Sequence, residues 1–148
     1  MNPCVLRTFG RYQQIAPKSV EAGGQLFAQI SGDDILLQVA TEPRPTDTRT
    51  RYSYRPNRSA EQAEIDQMYR QGLYFVGDWH THPEAHPQPS WQDLRSIRDV
   101  FLCSKHHLNA FILVIVGTAP LPDGLYFALH NSTESMQLYE CSGIVHTK

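Results

Sequence analysis

The chain has 148 residues, 41% of them hydrophobic, with 13 Lys and Arg against 15 Asp and Glu for a formal net charge of -2. That is one domain's length, enough to bury roughly 70% of the surface its unfolded chain exposes; the composition excludes a disordered chain, and the charge argues against a nucleic-acid or membrane footprint. Of its seven histidines, three (His80, His82 and His86) cluster in one short stretch, and clustered imidazoles point to a metal.

The first forty residues read as extended structure. Gln25 to Ile30 and Asp34 to Thr41 are apolar-rich and split by the turn Ser31-Gly32-Asp33, which predicts a hairpin with Gly23-Gly24 just before it. Pro17 breaks any helix over 12–20. Residues 42–58 hold three prolines and five arginines against two acids. They read as a solvated loop with a short strand at Tyr52-Ser53-Tyr54, or as a basic loop facing a partner. Ser59-Ala60-Glu61-Gln62 resembles a capping box and predicts a helix over 60–71, with Ile65, Met68 and Tyr69 at helical spacing. Leu73 to Val76 reads as a strand running into Gly77-Asp78-Trp79-His80. After a proline-rich loop, Ser90 opens a second helix with Leu94, Ile97 and Phe101 on one face. Asn109 to Val116 is the central buried strand, and Tyr126 to Leu129 and Met136 to Tyr139 are two more. Helices and strands intermix without a repeat, so the class is α/β or α+β, with one domain over 1–148.

The longest apolar run, Ala110 to Val116, is far short of the about 20 residues of a membrane helix. The N-terminus lacks the apolar core of a secretory signal. Cys4, Cys103 and Cys141 include no CxxC pair, which excludes a disulfide framework or a cysteine-rich zinc site and fits the reducing cytoplasm. Cys103 reads as a small core residue.

The informative segment is His80-Thr81-His82-Pro83, with Ser90-Trp91-Gln92-Asp93 after it. Alternate strand residues point to one face, so His80 and His82 can meet one ion, and Pro83 ends the strand. Asp93 lies in the first turn of the next helix. Two imidazoles and one carboxylate leave a fourth position for water, the composition of a catalytic zinc site. Zinc so held lowers the pKa of its water to about 7. Taken singly, Ser90 and Asp93 would be a helix cap and the histidines exposed strand residues; the conjunction carries the metal reading. A general base is also required, and Glu21 beside Gly23-Gly24 is the candidate, with Glu84 and Glu64 in competition. His86 reads as an exposed loop histidine, with a second metal or a substrate contact as the alternative. His106 and His107 suit the C-terminal end of the second helix.

Glu21 with Gly23-Gly24, His80-x-His82-Pro83, seven residues between His82 and Ser90, and Asp93 resemble the complete signature of the JAB/MPN (JAMM) zinc metalloprotease family. The resemblance covers most of the chain. It implies a JAB/MPN, cytidine-deaminase-like fold, with a mixed central sheet flanked by helices. It implies one Zn2+ per chain on His80, His82 and Asp93, Glu21 holding and deprotonating the water, and Ser90 stabilising the tetrahedral oxyanion. Pro45-Thr46-Asp47 with Arg49 and Arg51, the Gln62 to Asp66 helix and Gly77 to Glu84 look like the short prokaryotic JAB peptidases of CBASS-type anti-phage operons. Those accompany E1/E2-like proteins and act on a conjugated nucleotide cyclase. The implied activity is cleavage after the C-terminal residue of a ubiquitin-like or E1/E2-conjugated protein, with Arg49, Arg51 and Trp79 as candidate substrate contacts. The rivals are a processing peptidase for a ubiquitin-like or sulfur-carrier precursor, a non-catalytic scaffold, and a nucleic-acid-linked role that the near-neutral charge disfavours. A zinc nucleobase deaminase is excluded because no PCxxC partner exists.

Overall fold

The computed structural model describes residues 1–140. Six strands form one sheet, in the spatial order Asp34–Ala40, Gly23–Ser31, Tyr74–Thr81, Phe111–Val116, Leu125–His130 and Ser135–Gln137, and two short strands form a separate ribbon. The chain opens with a helix, α1 (Pro3–Tyr12), where the sequence reading had extended structure. Its start follows capping rules: the Asn2 side chain accepts the Cys4 N–H and Pro3 fills the first turn, where its missing N–H costs nothing. Val5 and Phe9, one turn apart, are buried.

The hairpin β1 (Gly23–Ser31) and β2 (Asp34–Ala40) turns at Gly32, whose φ of 60° suits glycine. Gly23 and Gly24 belong to β1 rather than preceding it. The arginine-rich stretch holds the ribbon β3 (Thr48–Thr50) and β4 (Ser53–Arg55). Helix α2 (Arg58–Arg70) is capped by Asn57, which accepts the Ala60 N–H, and not by Ser59. Strand β5 (Tyr74–Thr81) carries the first histidine. Helix α3 (Trp91–Cys103) starts at Ser90 as expected. Ile97 on its inner face is buried, whereas Leu94, expected on the same face, is exposed.

Strands β6 (Phe111–Val116), β7 (Leu125–His130) and β8 (Ser135–Gln137) complete the sheet. All neighbours are antiparallel except β5 and β6, which run parallel with α3 as their crossover. Every residue of β6 is buried, and its two faces feed two cores. Ile112, Val114 and Val116 join Val5, Phe9, Leu26 and Trp79 on the α1 side. Phe111, Leu113 and Ile115 join Ile97 and Tyr126 on the α3 side. That two-sided burial is why β6 reads as a continuous apolar run without alternation. Trp79 anchors the α1 side against Phe9 at 5.2 Å between ring centroids, and its indole N–H donates to the Thr41 carbonyl at 2.9 Å. Cys4 and Cys103 are exposed free thiols, and Cys141 lies outside the described residues. Among the described residues no helix is long and apolar enough to cross a membrane.

One backbone position holds β5 against β6. Gly77 has φ 150°, and a Cβ built there would sit 1.9 Å from the Ile112 carbonyl oxygen. Gly77→Ala must therefore either open the β5–β6 pairing or strain the strand, and we expect a loss of at least about 2 kcal/mol in urea-melt stability. A melt within 0.5 kcal/mol of the parent, on the same approximate scale, would show that the strand pair tolerates the side chain.

Candidate metal centre

The last turn of β5 and the first turn of α3 meet at one end of the sheet. His80 and His82 leave β5 on one face, and Asp93 enters from α3. One ligand atom from each lies within 4.8 Å of the other two. His80 Nε2 and His82 Nε2 stand 3.1 Å apart, and each is 3.2 Å from a different oxygen of Asp93.

The capping box fixes the third member. Ser90 Oγ accepts the Asp93 N–H at 3.1 Å, and Asp93 Oδ2 accepts the Ser90 N–H at 2.8 Å. Asp93 is therefore held by its own helix start while its carboxylate faces the histidines. Burial alone would raise its pKa, but hydrogen bonds from His80 and His82, their charge, and the Ser90 N–H hold it well below the usual carboxylate range. Burial works against a charged His82 too, yet the Asp93 hydrogen bond and charge, with Glu21 and Glu84 beyond, raise its pKa.

Two imidazole nitrogens at 3.1 Å that face one carboxylate converge their lone pairs on a point that only a proton or a cation can fill. Two nitrogens and one hard oxygen suit a divalent ion with an open position. His82 Nδ1 is buried with no hydrogen-bond partner, and Glu84 Oε1 lies 4.0 Å from it. A ligating histidine usually gives that nitrogen to a carboxylate, so Glu84 stands in the right place for it. These residues fit a metal site.

Glu21 reaches the same groove from β1's approach. The β1–β5 register pairs Gly23 with His80. The Thr81 N–H continues the ladder to the Ala22 carbonyl at 2.8 Å, which brings Glu21 opposite His82. Burial is the main reason the Glu21 carboxyl is pushed up to about 7, with His82 opposing and Asp93 reinforcing. Gln14, 2% exposed, ties this segment down: its carbonyl oxygen accepts from Thr81 Oγ1, and its amide donates to the Ser19 and Arg51 carbonyls. Arg49 Nε donates to the Glu21 carbonyl at 2.7 Å, and the Glu21 N–H donates to Thr50.

Arg49 and Arg51 thus make contacts within the chain, Arg51 Nη1 donating to the Pro17 carbonyl at 2.6 Å. Trp79 is in the core at 1% exposure. Glu84 lines the groove, while Glu64 pairs with Arg44 on the α2 side. His86 stands apart from the triad, with Nδ1 3.2 Å from the Asp123 carbonyl oxygen on an exposed loop.

The groove has a volume of about 610 Å³ and runs between the β3–β4 ribbon and α3, past Glu21, the triad and Ser90. It continues to Asp78 and Glu61, which the sequence reading passed over. Burial, with the Glu61 charge added, pushes Asp78 up to about 7. The signal for Asp78 was available: it precedes His80 and His82 at the same two-residue period. Glu61 had none, because a glutamate in a first helical turn normally faces solvent.

A family profile described as prokaryotic homologs of the JAB domain matches residues 10–139. A CD-NTase/cGAS isopeptidase of Pseudomonas aeruginosa is 33% identical over 115 residues, 76% of this chain and 72% of that protein. A probable metalloprotease of Sinorhizobium fredii is 50% identical over 76 residues, 49% of this chain and 46% of that protein. Matches to the curated relatives span between 46% and 72% of their own lengths. The solution structure of a Desulfitobacterium hafniense protein superposes with a TM-score of 0.64 over 90% of this chain and 84% of that one, at 18% identity, a likeness of fold.

His82→Ala and Asp93→Ala should each lose bound divalent metal on dialysis, by at least about tenfold relative to the parent in metal analysis. One equivalent retained by both variants would place the metal elsewhere.

Proposed function

The chain belongs to the prokaryotic JAB family, and we propose that it is a zinc-dependent isopeptidase that cleaves after the C-terminal residue of a ubiquitin-like or E1/E2-conjugated protein. In this reading residues 1–148 act as one metalloprotease domain in the cytoplasm. The conjugate includes a cyclic-nucleotide synthase, in keeping with the relatives named CD-NTase/cGAS isopeptidase. The observation that carries the proposal is the convergence of His80, His82 and Asp93 within 4.8 Å at the mouth of a groove that also holds buried Glu21.

His80, His82 and Asp93 would hold the ion, with their orientation set by β5 and by the capping box. When bound, zinc would supply a Lewis acid that polarises the scissile carbonyl and acidifies water. Glu21, opposite His82, takes a proton from the attacking water and returns it to the nitrogen of the departing lysine. Its burial raises its affinity for a proton, as a group that must both take and return one requires. Ser90 Oγ accepts the Asp93 N–H, which leaves its own hydrogen free to donate to the oxyanion. Net, one amide C–N bond breaks, water adds, and a carboxylate and an amine separate.

Glu21→Gln should keep its zinc and lose about 10²–10⁴-fold in turnover. Ser90→Ala should lose about 10²–10³-fold in kcat, alongside about 1 kcal/mol of helix stability from the missing cap. Both are measured on a lysine-linked conjugate and a linear fusion of the same ubiquitin-like protein. Cleavage of the fusion alone would favour precursor processing. Full turnover by Glu21→Gln would remove Glu21 from the chemistry. Chelation should abolish activity and thiol alkylation should not, since neither Cys4 nor Cys103 is among the residues that line the space around the triad, Cys103 standing in the wall of the adjoining cavity between α2 and α3. The reverse result would end the metallohydrolase reading.

A further inference from the structure

Glu21 lies ahead of β1, outside any regular strand, so no strand ladder of its own places it. A side chain leaves its Cα in a direction set by φ and ψ, that is, by the two peptide planes that meet there. At Glu21 both planes are tied. The Glu21 N–H donates to the Thr50 carbonyl at 2.7 Å, which holds the plane before it. The Glu21 carbonyl accepts from Arg49 Nε at 2.7 Å, and the Ala22 N–H donates to Thr81 Oγ1 at 2.9 Å; together these hold the plane after it. Two of the three ties come from adjacent residues of β3. The Thr50 tie is made by backbone, which any residue supplies. The Arg49 tie depends on the side chain.

The ribbon that carries Arg49 is seated on the same segment. Its register pairs Arg49 with Tyr54. The Tyr54 ring lies against Gly23, where a Cβ would come within 2.7 Å of Cδ1 and Cε1. The Tyr54 hydroxyl donates to Asp47 Oδ2 at 2.8 Å, and Asp47 Oδ1 accepts the Asn57 N–H at 2.8 Å, so the ribbon is fastened on both sides of its turn. From the other side, the Arg49 guanidinium carbon stands 5.9 Å from the centroid of the Tyr12 ring on α1. Tyr52 to Pro56 line the groove, but Arg49, half-buried, does not. Its guanidinium is therefore placed to act on Glu21 and not on a substrate.

We propose that Arg49 is a positioning residue for Glu21. Its Nε–H, a charge-assisted donor held flat beside the Tyr12 ring, locks the peptide between Glu21 and Ala22 so that the Glu21 carboxyl stays opposite His82. Lysine does not replace it, because an ammonium on a flexible stem lacks the planar fork that meets a carbonyl and an aromatic ring together. The role rests on the reading of Glu21 as the base.

The test uses the full chain loaded with zinc and the lysine-linked conjugate and linear fusion named above. Arg49→Met keeps an unbranched stem beside Tyr12 and removes the donor; Arg49→Ala removes both. Each should keep its zinc and its KM within about twofold of the parent and lose about 10–100-fold in kcat, the scale of a misplaced catalytic group. In a Glu21→Gln background the same changes should cost less than about a further twofold, since a residue that acts through Glu21 has nothing left to place. Amide hydrogen exchange at Glu21 and Ala22 should quicken at least about tenfold, while the His82 amide, bonded to the Val116 carbonyl, keeps its rate. A kcat within about twofold of the parent, a loss carried by KM or by missing zinc, an equal loss in the Glu21→Gln background, or unchanged exchange would each overturn the positioning role. The two failures are separable: a parent that cuts neither substrate overturns the isopeptidase reading and this role with it, whereas a failure of the role alone leaves the parent active.

Discussion

The register between β1 and β5 is the constraint on which the groove depends. Gly23 opposite His80 sets it, and from that pairing Gln25 faces Asp78 and Glu21 comes to face His82. Directly opposed residues in an antiparallel pair hold their Cβ atoms roughly 5 Å apart. A carboxylate and an imidazole distant in sequence are thereby brought within reach before any helix contributes. Slipping the pairing by one residue would turn all these side chains to the other side of the sheet. Much of the surrounding polar network guards that register. The Thr81 hydroxyl takes the Ala22 N–H and gives its own hydrogen to Gln14, which in turn holds the Ser19 and Arg51 carbonyls. Gly24 belongs to the same device: a Cβ there would lie 2.1 Å from the Thr41 carbonyl oxygen, so the chain beyond β2 packs directly on the β1 backbone.

Asp93 ties stability to function in one side chain. As the third residue of α3 it closes the capping box with Ser90, and the same carboxylate faces two histidines. An ordinary cap needs only one carboxylate oxygen, so this position can serve the helix and the site together. The parallel β5–β6 pairing makes the meeting possible. It requires a crossover, and α3 is that crossover, so its first turn returns beside the end of β5.

Residues whose role depends on local spacing were legible in the sequence. His80, His82, Ser90 and Asp93 lie in one short stretch, and strand period and helix capping place them without a partner strand. The strands β1, β2, β5 and β6 were equally plain, because burial on one or both faces writes itself into the apolar pattern. Helix α1 was not, since Val5 and Phe9 are its only fully buried residues and the Asn2-Pro3 start is a short signal. The roles of Arg49 and Arg51 were hidden because both donate to backbone carbonyls more than twenty residues away, which no pattern in side-chain type records. Ser59 had the form of a cap, but Asn57 two residues earlier makes the bond, since α2 begins where the β4 strand ends. Glu61 became visible only when the fold showed α2 turning it inward to the groove.

The crossover also sets an order of assembly. Glu21, the histidine pair and Asp93 come from three elements, and α3 is held in place only after β6, ending at Val116, has paired beside β5. Non-local pairing of this kind is slow to form. A chain emerging from the ribosome therefore cannot present a complete ligand set until most of its length is made.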